Sequence, residues 1–207
     1  MSEQEKMLAG KLYDPSDSTL EAKRIRAHKL CQQFNVMPED AGEVRDALLH
    51  EVFPHMGEGT CILAPVFADY GEFITFGTNC FANFNLTVLD TCPITVGDDV
   101  FFGPNCSLLT PLHPLLPEER KMRRHADGSL YDLEYGAPIT IGNGCWIAAD
   151  VKICGGVTIG EGTVIGAGSV VTRDIPSGVL AAGNPCRVIR KLTAEDSCGI
   201  APDSHKG

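Results

Sequence analysis

From Ile141 to Pro176 the chain repeats in sixes: Ile141-Gly-Asn-Gly-Cys-Trp, Ile147-Ala-Ala-Asp-Val-Lys, Ile153-Cys-Gly-Gly-Val-Thr, Ile159-Gly-Glu-Gly-Thr-Val, Ile165-Gly-Ala-Gly-Ser-Val and Val171-Thr-Arg-Asp-Ile-Pro. The first position is Ile or Val, the second usually Gly or another small residue, and the fifth mostly small or β-branched. An α-helix brings a face round every 3.6 residues and cannot hold a strict period of six. A flat strand alternates every two residues and has no use for a small residue at one fixed phase. A hexapeptide period belongs to a parallel β-helix, in which short strands stack coil upon coil.

The same phase extends backwards. Phe76, Ala82 and Val88 take the first position, a two-residue slip follows, and Val96, Phe102 and Leu108 resume it. Ile139-Thr-Ile141-Gly returns eighteen residues later as Val157-Thr-Ile159-Gly, so three hexads make one coil of a three-sided prism. Residues 58–192 are assigned to this solenoid. Within them, about 109–138 break the pattern with a polar, proline-containing excursion that is basic at Arg120, Lys121, Arg123 and Arg124. A long insertion inside a compact repeat is usually functional or disordered. The register resumes on its far side, so it should leave from one corner.

Residues 1–57 form a small helical domain. Met7, Leu8 and Leu12 suit one turn. Leu20, Ile25, Ala27 and Leu30 suit a helix from Thr19, and Pro38-Glu-Asp should open another through Val44, Leu48 and Val52. The stretch Gly178 to Leu192 reads as a closing strand and turn, and 193–207 as a polar tail, expected to be disordered from Glu195.

A net charge of −10 argues against nucleic acid as a bulk partner. No apolar run is long enough to span a membrane, and the amino-terminal residues lack the layout of a secretory signal, so a cytoplasmic location is expected. Nine cysteines without a CxxC pair suggest neither a disulfide framework nor a zinc cluster, and no metal is expected. Cys80, Cys92, Cys106 and Cys145 fall at the fifth place of their hexads, where a small apolar side chain is wanted.

Candidate chemistry starts with His113, early in the excursion. A loop histidine is usually just solvated, but this one lies next to a strand end, and an imidazole with pKa ~6.5 is a natural general base. Asn83 and Asn85, two apart on a supposed strand, could aim amides at an oxyanion or hydroxyl, or form asparagine ladders. Asp90 near a corner could be a turn residue or a polyol acceptor. Trp146, at an outward sixth position, needs a cover: the excursion, another subunit or a ligand. Arg173, Arg187, Arg190 and Lys191 make a local positive patch suited to phosphate, though such patches are commonly just solvated.

The hexads, together with Ala82-Asn-Phe-Asn-Leu-Thr, His113-Pro, Pro138-Ile-Thr-Ile-Gly-Asn-Gly-Cys-Trp-Ile and Ala182-Gly-Asn-Pro-Cys-Arg-Val-Ile, resemble the maltose/galactoside O-acetyltransferase family over about residues 5–192. The resemblance implies an all-β, left-handed parallel β-helix with a helical amino-terminal domain, assembled as a homotrimer with acetyl-CoA between neighbouring prisms. His113 matches the family's catalytic base and Asn83 the residue that supports the transfer intermediate. Trp146, Ala149, Ala167, Thr172, Arg173, Arg187 and Arg190 fall where the coenzyme is lined. Asp90, Asn85, Asp14 and Glu134 are the candidates for the acceptor. Where galactoside enzymes have a second acidic residue after Asp90 this chain has Thr91, and Glu134 with Tyr135 resembles the maltose type.

The expectation is an acetyl-CoA-dependent O-acetyltransferase acting on a sugar such as maltose, glucose or a galactoside. An antibiotic or serine acceptor is the alternative within the enzyme class. A zinc hydratase on the same coil would need histidines on successive turns, which the repeats lack. A non-catalytic scaffold would have no use for His113, Asn83 and the basic cluster together.

Overall fold

A computed structural model describes residues 1–200. Three parallel sheets form the sides of a coil. The first face stacks Ile74–Phe76, Ile94–Val96, Ile139–Ile141 and Thr158–Ile159. Thr75, Thr95, Thr140 and Thr158 all point outward from it. This is the threonine face. The aromatic face stacks Cys61–Ile62, Phe81–Ala82, Phe101–Phe102, Trp146–Ile147, Val164–Ile165 and Val179–Ala182. The mixed face holds Val66–Ala68, Leu86–Leu89, Ser107–Leu109, Lys152–Cys154 and Val170–Val171.

The expected phases hold. The first-position residues from Phe76 to Val171 are at most 2% exposed and fill the prism. The four fifth-position cysteines are buried, and Thr163 and Ser169 at the same phase turn their hydroxyls onto Pro176 and Gly166 carbonyls. The small second position follows from coil stacking: a Cβ on Gly160 would lie 2.4 Å from the Ser177 backbone nitrogen. The fourth position carries a rule the pattern did not reveal. Asn79, Asn85, Asp99, Asn105 and Asp150 all have φ between 55° and 62°, and Gly144, Gly156, Gly162 and Gly168 share that left-handed region. Only Gly, and less readily Asn or Asp, turns a corner this way without strain.

The slip is a recurring feature of one corner, between the mixed and threonine faces. Lower coils pair residues twenty apart, as in Cys61 with Phe81 and Thr87 with Ser107, while upper coils pair residues eighteen apart, as in Lys152 with Val170. The extra residues lie in Asp69–Phe73 on the first coil and Asp90–Pro93 on the second. On the third coil the excursion leaves from the same corner.

Helices α1 (Glu3–Leu8), α2 (Ser18–Val36) and α3 (Glu43–Val52) close the lower end. Helix α3 starts later than the Pro38 signal predicts, because Gly42 at φ 57° caps it and Val44 stays exposed. The Asn35 side chain bonds both backbone groups of Val66 (2.8 and 2.9 Å), covering the edge of the first coil. Phe34, Leu48, Leu49, Val52 and Phe53 join the coil's core, with Phe53 edge-on to Phe76. The upper end is covered by Arg187–Lys191, antiparallel to Val179–Ala182. The tail beyond is ordered at its start: Thr193 caps a short 3-10 turn, Ala194–Asp196. The expectation of disorder for 201–207 falls outside the described residues. Among the described residues, no helix is long and apolar enough to cross a membrane.

Gly160→Ala tests the stacking constraint. Forcing a methyl group against a neighbouring coil costs roughly 1–3 kcal/mol, so the variant should melt measurably below the parent in a thermal denaturation series. An unchanged midpoint would contradict coil contact as the reason for the small second position.

Candidate active site

Asp90 ties the enlarged corner together. Its fully buried carboxylate accepts hydrogen bonds from the backbone of Tyr70 (2.9 Å) and Phe73 (3.0 Å), joining the first enlarged turn to the second. Burial raises its pKa, against these amides. The acceptor role expected of Asp90 is therefore corrected to a turn-holding one: no oxygen of it reaches solvent. Thr91 and Thr110, also buried, bond one another at 3.1 Å and start the third turn.

From Thr110 the chain runs out through Pro111–Leu112, which pair antiparallel with the returning Tyr135–Gly136. His113 is the first residue beyond this two-stranded neck. Across it, Asp132 Oδ2 lies 3.5 Å from His113 Nδ1 and Glu134 Oε1 lies 3.9 Å from Nε2. Glu134 is fixed from behind by the hydroxyl of buried Tyr13, which donates to Oε2 at 2.8 Å, and by a backbone bridge between the same two residues. Burial and the Glu134 charge push the Tyr13 phenol pKa up, so it stays a donor. Two carboxylates against opposite ring nitrogens can hold an imidazole in one orientation. The ligand atoms of His113, Asp132 and Glu134 also lie within 4.8 Å of one another. A single ion could take only one ring nitrogen, so the arrangement suits proton transfer better than coordination.

The two carboxylates that face His113 also line a pocket of about 350 Å³, between the Tyr13–Ser16 loop, Arg24 of α2, the Asp69–Tyr70 corner, Thr91, and Met122, Tyr131, Asp132 and Glu134 of the excursion. Its outer wall is a hairpin of Arg123–Arg124 and Leu130–Tyr131. His125 at its turn stacks on Tyr131 and reaches Asp14 Oδ2 at 3.1 Å, latching the hairpin to the amino-terminal loop. Asp14 spends its other oxygen on Ser16, so it shapes the wall; the structure does not place it among the pocket-lining residues. Asp69, overlooked in the sequence, is pushed up to about 6 by burial and by the Asp90 and Glu134 charges, against Arg24.

The remaining candidates sort onto two corners. Asn83 follows Phe81–Ala82 at the corner between aromatic and mixed faces, in line with Gly103, Ala148 and Gly166 of the coils above, and Ala149 and Ala167 are the next residues round the same corner. Its Oδ1 accepts from Phe84 N at 2.8 Å, which leaves the amide NH2 free. Asn85 is corrected: it does not share a strand with Asn83 but turns the corner at φ 62°, and its amide donates to Asn105 in a ladder at 2.9 Å. Thr172 and Arg173 stand above His113's corner, following Val170–Val171. One chain therefore does not bring Asn83 and His113 together, because the mixed face separates them. Trp146 is 55% exposed in an outward column with Phe81, Phe101, Val164 and Leu180. Arg187 and Arg190 lie on the closing strand. Arg190 is not a free cation, since its guanidinium forks onto Asp196 at 2.8 and 2.5 Å.

Comparisons agree with this architecture. Residues 6–57 match the maltose acetyltransferase hexapeptide capping motif and 138–173 match six bacterial transferase hexapeptide repeats. The chain is 44% identical over 192 residues to a galactoside O-acetyltransferase of Escherichia coli, covering 93% of this chain and 90% of the relative. A maltose O-acetyltransferase structure from Clostridium difficile superposes with a TM-score of 0.86 at 42% identity, covering 93% of this chain and 98% of that one. A galactoside acetyltransferase solved in complex with coenzyme A gives the same TM-score at 43% identity, covering 95% and 94%.

The raised Asp69 pKa has a stability signature. A carboxyl whose folded pKa is about 6 and whose ordinary value is 3.8 holds its proton more tightly in the folded state, so its contribution is full below about pH 4 and is lost as pH rises through 6. Asp69→Asn should therefore melt above the parent at pH 7.5, by on the order of 1–3 kcal/mol, with the gain vanishing near pH 4. A variant less stable at pH 7.5 than the parent would contradict the charge environment described.

Proposed function

Since the chain belongs to the maltose and galactoside O-acetyltransferase family of hexapeptide-repeat proteins, we propose that it transfers the acetyl group of acetyl-CoA to a hydroxyl of a sugar held in the pocket beside His113. The observation that carries this reading is the imidazole standing between Asp132 and Glu134, the two carboxylates that also line a polar pocket. In this mechanism Nδ1 keeps its proton, directed at Asp132 3.5 Å away, and Nε2 is the base. The acceptor hydroxyl gives its proton to Nε2 while its oxygen attacks the thioester carbonyl. The carbonyl becomes a tetrahedral oxyanion, met by the free amide of Asn83. Collapse expels the coenzyme thiolate, which recovers the proton from His113.

Because Asn83 and His113 lie on different corners, the site needs two copies of the chain. The corner of Asn83, Ala149 and Ala167 on one copy faces the corner of His113, Thr172 and Arg173 on the next, and the coenzyme runs between them. A homotrimer closes such a head-to-tail contact. The apolar outward column of the aromatic face, with Trp146 at its middle, supports a covered face there, in contrast with the solvated threonine column. Arg187 and Arg173 are the phosphate partners, and Arg190 joins them on releasing Asp196. A cytoplasmic location fits a chain that keeps nine free cysteines and draws on acetyl-CoA.

General-base assistance contributes typically ~10²–10⁴-fold. His113→Ala should lose acetyl transfer to sugars by about that factor, followed as thiol release, while binding coenzyme A with little change by calorimetry. Undiminished turnover would remove the base from the mechanism.

A further inference from the structure

The acceptor pocket has an unbalanced charge. Asp69, Asp132 and Glu134 line it, and among the described residues Arg24 is its only lining cation. Arg24 is already engaged, donating to the Pro15 carbonyl at 3.2 Å. Asp132 and Glu134 face His113, and Glu134 also accepts from Tyr13. Asp69 differs from both. Its side chain has only the distant His28 nitrogen, at 3.9 Å, as an ionic neighbour. Burial and Arg24 push the His28 pKa down, which weakens that imidazole as a cationic partner. The Asp69 carboxylate is thus three-quarters covered, close to two further negative groups, and without a strong donor.

A neutral sugar could donate hydroxyls to Asp69 but would leave the charge surplus in place. A protonated amine would supply donors and charge at once, and charge-assisted hydrogen bonds are the stronger kind. The cavity, at the small end of ordinary ligand pockets, suits one sugar ring with its substituents. The apolar surfaces of Tyr131, Met122 and Leu130 offer it a wall.

Resting on the O-acetyltransferase reading, we propose that the acceptor is an amino sugar or a similarly small polyol with a protonated amine, its ammonium group set on Asp69 and its hydroxyl presented to His113. The amine, protonated and paired, is not the nucleophile. The acetyl group passes to oxygen, with the hydroxyl proton going to His113 and then to the departing thiolate, so the product is an O-acetyl ester.

The experiment compares glucosamine, glucose and N-acetylglucosamine as acceptors with saturating acetyl-CoA, at a pH that keeps the amine protonated. Glucosamine should exceed both others in kcat/KM by tenfold or more, with the product O-acetylated by NMR, and added salt should narrow the gap. In Asp69→Asn, the glucosamine-to-glucose ratio should fall towards one, with folding checked by melting and by coenzyme A binding. Equal or better turnover of glucose, or a ratio unchanged in Asp69→Asn, would overturn the amino-sugar assignment while leaving sugar O-acetylation intact. Absence of turnover with every sugar would count against the underlying function. Calorimetric binding of the same three sugars would then decide the charge preference alone: tighter glucosamine binding supports it and indifference refutes it.

Discussion

Each coil of this protein is held by backbone hydrogen bonds to the coils above and below, and those bonds fix the spacing of everything else. Strands stacked ~4.8 Å apart leave no room for a side chain between coils at the second position. The prism is filled by the first-position residues, joined on the threonine face by a second inward residue two places earlier, as Ile139 before Ile141. Corners must then reverse direction within three residues, so one of them takes a left-handed conformation. Gly160, Ile159 and Asn105 each answer one of these demands. A wall built this way is rigid and has little freedom to evolve a site, except where a corner is lengthened.

One corner is lengthened on three successive coils, and the chemistry gathers there. The first two extensions are short and are joined by buried Asp90, which uses its carboxylate on neighbouring backbone rather than on a ligand. The third is the whole excursion. It is bound to the coil by its neck and to the helical domain by the Tyr13–Glu134 and His125–Asp14 contacts. The amino-terminal domain therefore has two roles: covering the open edge of the first coil and bracing the carboxylate that faces His113. The repeat presents small side chains and Asn83 along a second corner. The mixed face separates His113 from Asn83 within one chain, and on the proposed mechanism that would make assembly part of the chemistry.

The hexad phase, the three faces, the buried cysteines and the position of His113 at the neck were all readable from the residues, because they follow from a strict period. What escaped was set by corners and by contacts between distant segments. Asn85 passed for a strand residue because the fourth-position rule went unread, although Asn79, Asp99, Asn105 and Asp150 carried the same signal. Asp90 looked like a ligand because a sequence does not show which amides a carboxylate will meet. Asp132 depends on how the excursion returns across His113, and Asp69 on the first enlarged corner. Neither is marked by spacing. Arg190 read as a free cation because its partner, Asp196, lay in a segment taken for a disordered tail.

The account turns on a site built from two corners of two different copies. Co-expression of His113→Ala and Asn83→Ala chains, each inactive alone, tests it directly through the acetyl-transfer rate of the purified mixed assemblies. Random mixing in a cyclic trimer should restore up to about a quarter of the sites, since an intact His113 can then face an intact Asn83. Mixed assemblies as inactive as either parent would contradict the shared site and place both groups in one chain.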